Sequence, residues 1–199
     1  MTNAPTPSPL DEAQLAVLGQ TRAAQRKLRF AGFIALSNVI GLATFAFLSL
    51  VVDLFSLSLS LITIPLGVLA WNEARGRTLL LAGDASAPRR LAYNQLALLA
   101  CVIVYCIHSA YAAWTGPSLL DTVLLADPSI PDMLGDAANG AGTSLDELSH
   151  LGRVTALVVY GAVALGSAAV QGLTALYYRS LQPAVAALAA APAWARELA

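Results

Sequence analysis

Two histidines, His108 and His150, are the side chains in this sequence best equipped for chemistry. His150 stands three residues after Glu147, and this Glu-x-x-His pair, joined by His108, would offer a divalent metal three ligands. The same two imidazoles, one from each of two facing helices, are what a bis-histidine haem requires. A lone Glu-x-x-His arises often by chance, and di-iron bundles need a second copy with two further carboxylates, which these apolar stretches lack. The simpler reading makes Asp146, Glu147, His150 and Arg153 an interfacial charge cluster at helical spacing. His108 is then a neutral hydrogen-bonding residue, because an imidazolium inside a membrane is costly. The expectation is no cofactor, with haem or a divalent metal as the alternative. There is no Gly-rich phosphate loop, no G-x-S-x-G, no H-E-x-x-H and no cysteine pair at metal spacing, so an enzyme is not expected.

The elements that must position these groups follow from composition. In 199 residues, 57% are hydrophobic and 12% charged, with mean hydropathy +0.67, which makes lipid the solvent. A net charge of −1 leaves no surplus of cations for a nucleic-acid partner. One lysine among eleven cations, with abundant alanine, points to a GC-rich bacterial genome. Cys101 and Cys106 are five apart in one apolar run, where a shared helix splays them to different faces.

Residues 1–29 are too polar to be an ordinary cleaved signal and predict a cytoplasmic amphipathic helix capped by Ser8, with Pro9 in its first turn and Leu10, Ala13, Val17, Ala24 and Leu28 on one face. From Phe30 to Trp71 only Asp53 is charged, and the length is about twice one bilayer crossing. A turn at Asp53 divides the run into spans of about 30–52 and 54–71, with Pro65 a kink in the second. Residues 72–90, with Glu73, Arg75, Arg77, Asp84, Arg89 and Arg90, read as a polar connector. The stretch WNEARGRTLLLAGDASAPRRLAYNQLALL, Trp71 to Leu99, is dense in Asn, Glu, Arg and Gln. Further spans are expected at about 91–114 and 151–178, separated by a loop, 115–150, that lacks Lys and Arg. In that loop Ser118 with Asp121, and Ser144 with Glu147, have helix-capping spacing. An Ala-rich tail, 182–199, follows Pro183.

The expected fold is therefore all-α: a four-transmembrane-helix bundle, residues 30–181, behind an N-terminal amphipathic helix. Ten of the eleven cations fall on one side of this arrangement, only Arg153 on the other, which predicts both termini and the 72–90 connector in the cytoplasm and 115–150 outside the plasma (inner) membrane.

Small and polar residues recur at helical steps within the spans. Ser37 and Gly41 mark the first, Ser60 and Gly67 the second, Tyr105 the third, and Ala156, Tyr160, Ala164, Ser167 and Gln171 the fourth. Such stripes let helices approach and hydroxyls or amides pair across them, each pair contributing about 0.5–2 kcal/mol. Asn38 and Gln95 are expected to bond between helices. The functional expectation is a structural or accessory subunit, packed in the bilayer against other membrane subunits or its own copies. A redox or metal protein using His108 and His150, and an oligomeric small-solute transporter or channel, are the alternatives.

Overall fold

The computed structural model describes residues 10–56, 63–116, 140, 142 and 144–199. Its described residues form six helices: α1 Glu12–Ser56, α2 Thr63–Leu81, α3 Ala87–Thr115, α4 Leu145–Ser180, α5 Gln182–Ala190 and α6 Ala193–Leu198. The fold is all-helical among the described residues, and three stretches of them are long and apolar enough to cross a membrane: Glu12–Leu48, Ala87–Thr115 and Asp146–Ala190. Four were expected. The missing one, 54–71, straddles residues 57–62, which lie outside the described residues, and α2 itself carries Glu73, Arg75 and Arg77 within 19 residues.

Local chemistry explains the helix starts. Asp11 and Gln14 form a reciprocal box, each backbone N–H donating to the other's side chain at 3.1 and 2.7 Å, which supplies acceptors to the orphan donors of the first turn. The expected cap at Ser8 lies outside the described residues. At the start of α4, Ser144 and Glu147 make the same exchange at 3.0 and 3.2 Å, as their spacing predicted. The Ser118–Asp121 pair lies outside the described residues.

Two expected breaks are not breaks. α1 runs through Arg29 without interruption, because residues 22–35 contain no proline and mostly good helix formers. It also continues through Asp53 to Ser56, so the chain does not turn where that charge stands. Pro65, expected as a kink, lies in α2 next to residues 57–62, which are outside the described residues.

α2 ends in a tight glycine cap. Gly83 has φ 77°, Asp84 N–H donates to Leu79 O at 3.0 Å and Gly83 N–H to Leu80 O at 3.1 Å, the paired bonds of a Schellman turn. Asp84 then accepts from Ser86 N–H at 2.7 Å, and bonds from Ser86 hold its carboxyl below the usual carboxylate range.

The chain divides into two compact units, Met1–Ala97 with Leu173–Ala199, and Leu98–Gly172. The first holds the core. Ala24, Leu28, Ala31 and Ala35 of α1 recur at steps of four, three and four and pack with Leu80, Ala87, Leu91, Ala92, Ala175, Tyr178, Leu181, Ala184 and Val185. Alanines on α1 let its neighbours approach closely. The Ala-rich tail belongs to this core, with Ala184, Val185, Ala191 and Ala195 buried and α5 and α6 packed against α1. In the second unit, Tyr105 and Tyr160 meet edge to face at 6.2 Å.

Candidate functional site

The polar centre of the first unit is built on Glu73, whose side chain is fully buried. Its Oε1 accepts hydrogen bonds from Tyr178 OH at 2.9 Å, Gln95 Nε2 at 3.0 Å and Asn38 Nδ2 at 3.3 Å. Its Oε2 accepts from Asn94 Nδ2 at 2.6 Å, and the same amide reaches Leu69 O at 3.1 Å. Three helices thus send one or more neutral donors to a single carboxyl on a fourth: Asn38 from α1, Asn94 and Gln95 from α3 and Tyr178 from α4, with Glu73 itself on α2.

Each helix positions its contribution by ordinary periodicity. On α2 the buried residues are Leu69, Ala70, Glu73, Gly76 and Leu80, one face at steps of three and four. On α3, Leu91, Asn94, Gln95 and Leu98 are buried on the facing side. Close approach is set by Gly76, where an added Cβ would stand 2.6 Å from Leu91 Cδ2. α1 is tied to α2 a turn further along, where Arg77 Nε donates to Gly32 O at 3.0 Å.

Chemically the arrangement suits a carboxylate, an acceptor on both oxygens surrounded by donors. Burial of an acid in apolar surroundings is costly unless its hydrogen-bonding capacity is met, and here four partners meet it. The centre acts as a joint: the carboxyl of Glu73 ties α2 to α1, α3 and α4 at once, and removing it deprives all of these donors of their shared acceptor, so the four helices are held in one register. Gln95 Oε1 is buried without a hydrogen-bond partner.

Sequence reading placed Asn38 and Gln95 as interhelical hydrogen bonders, and both bond to Glu73. It missed Glu73, set aside as part of a polar connector, and Tyr178. The connector is a correction: α2 continues to Leu81 and α3 begins at Ala87, leaving only residues 82–86 between them. A signal was present. Leu69, Glu73, Gly76 and Leu80 keep a helical stripe straight through the supposed boundary, and a carboxylate on an otherwise apolar stripe implies partners.

The other expected site residues fall as follows. His108 and His150 are exposed, and the His150 ring lies 6.4 Å from that of Trp114. Among the described residues no group of three His, Cys, Asp or Glu side chains is placed to hold a metal ion, so His108, Glu147 and His150 are not brought together as a ligand set. Ala156, Tyr160, Ala164, Ser167 and Gln171 are half-buried, whereas Val158 and Leu165 beside them are 65% and 75% exposed. Tyr105, Ser37 and Gly67 are exposed, Gly41 is half-buried with open space at its Cβ position, and Ser60 lies outside the described residues. Compared with family models, curated proteins and solved structures, the chain matches none.

Proposed function

We propose that this protein is a small multi-pass membrane subunit with a structural or accessory role, its free helix faces packing against other membrane subunits or further copies of itself. The observation that supports this reading most is that none of the most apolar window of Asp146–Ala190 is buried within the chain, although that helix carries small and polar residues along one face. Apolar side chains such as Val158 and Leu165 are satisfied by lipid. Small residues gain only from another helix.

Gentle detergent extraction from the native membrane, followed by mass spectrometry of copurifying proteins and an absorption spectrum, tests the proposal. Stoichiometric partner subunits or a defined homo-oligomer are expected. Replacing Ala164 with Leu should lower complex yield, because added volume at a close helix contact forces strain or separation, while an aliphatic swap at Val158 should not. A Soret band or near-stoichiometric metal, lost in both His108→Gln and His150→Gln, would replace this reading with the redox or metal one.

The proposed arrangement has four spans, with both termini and residues 82–86 cytoplasmic and the loop 115–150 outside. With Cys101 and Cys106 replaced, a cysteine at Ser129 should react with an impermeant thiol reagent in intact cells and one at Ser86 only after lysis. Labelling of position 86 from outside would reverse the orientation.

A further inference from the structure

The stretch of α1 just before its apolar run carries Arg22, Arg26, Lys27 and Arg29. Arg22, Arg26 and Arg29 are spaced four and three apart and so share a helix face, where like charges repel. With Gln25 and Ala199 they line a cavity of about 290 Å³. α6 builds its wall: Arg22 donates to Leu198 O at 3.0 Å and Gln25 Nε2 to Arg196 O at 3.4 Å. These bonds fix two of the lining side chains. The lining of the cavity holds these three guanidinium groups and no Asp or Glu side chain. One helical turn along, Phe30 and Phe33 are 60% and 64% exposed.

We propose that this cavity is a phosphate-binding site. Arg22, Arg26 and Arg29 supply charge-assisted hydrogen bonds to phosphate oxygens, for which guanidinium is the best matched side chain. The same chemistry is offered by the headgroup of an anionic phospholipid and by a free phosphate with its P–OH. Position favours the lipid: the cations border an exposed aromatic and apolar helix face, as a headgroup borders its acyl chains.

The test uses the full chain purified in detergent, with affinities measured by thermal shift for three probes: dihexanoyl-phosphatidylglycerol, dihexanoyl-phosphatidylcholine and inorganic phosphate. Phosphatidylglycerol should bind saturably and more tightly than phosphatidylcholine, whose choline cation is repelled by the three guanidinium groups. Arg26→Gln with Arg29→Gln should weaken it about tenfold per guanidinium removed. Arg89→Gln with Arg90→Gln removes the same charge elsewhere and should leave the affinity unchanged. Saturable binding of phosphatidylglycerol alone identifies a headgroup site. Binding of inorganic phosphate with the same loss in the Arg26 and Arg29 double variant identifies a free-phosphate site. No saturable response to either anion, or equal loss in the Arg89 and Arg90 control, would overturn the proposal.

Discussion

Glu73→Ala should be the most damaging single substitution in this protein, lowering stability against denaturant in detergent by about 3–5 kcal/mol. The substitution removes the acceptor for Tyr178, Gln95, Asn38 and Asn94 together and leaves a cavity among them. Asn94 keeps its bond to Leu69 O, whereas Tyr178, Gln95 and Asn38 lose the oxygen they share. Glu73→Gln preserves volume and separates the two effects. Its amide turns a donor towards groups that are themselves donors, so an intermediate loss of about 1–3 kcal/mol is expected. Tyr178→Phe removes one donor of four and should cost about 1 kcal/mol. Equal stability of Glu73→Ala and the parent chain would mean that the four-helix joint contributes nothing. A double-mutant cycle between Glu73→Gln and Asn94→Leu should show strong non-additivity, since the two share the shortest bond of the centre.

Gly76→Ala should destabilise the protein although alanine is the better helix former. The new Cβ would lie 2.6 Å from Leu91 Cδ2 and 2.9 Å from Leu91 Cγ, and Leu91 is itself fully buried and cannot swing clear. Overpacking of this kind costs about 1–3 kcal/mol, against a helix-propensity gain of up to about 1 kcal/mol. Gly67→Ala, on the same helix with no atom within 4 Å of the added carbon, gains the propensity term alone and should be neutral or slightly stabilising. Adding Leu91→Ala to Gly76→Ala restores room and should recover part of the loss, relative to the sum of the two single changes. Thermal unfolding of the four variants in one detergent reads the whole series. A stabilising Gly76→Ala would show that α2 and α3 do not approach as closely as the packing at Leu91 requires.

The residue types and their order determine that this chain is helical and apolar enough for a membrane, since spans and caps depend on neighbours a few positions away. The Ser144 and Glu147 cap belongs to that class of information, as does the glycine at position 83 that closes α2. Asn38 and Gln95 were legible as interhelical bonders because an amide in an apolar run has little else to bond. Boundaries drawn on charge were the part that misled. Asp53 and Arg29 stand inside α1, and the supposed connector at Glu73 is the centre of the core, because a charge on a helix signals an end only where water or a headgroup is its partner.

What the tertiary structure decided is which partners exist. Glu73 is 35 residues from Asn38, 21 from Asn94 and 105 from Tyr178, and no local pattern relates such positions. Likewise α6 reaches α1 across 176 residues to set Arg22 and Gln25 in one cavity. Helix formation depends on nearest turns, whereas the fate of a carboxylate or a guanidinium depends on the full set of helices packed around it. The sequence by itself therefore determined the elements and their solvent. Only packing determined that a residue with the appearance of a surface charge is the joint of the fold.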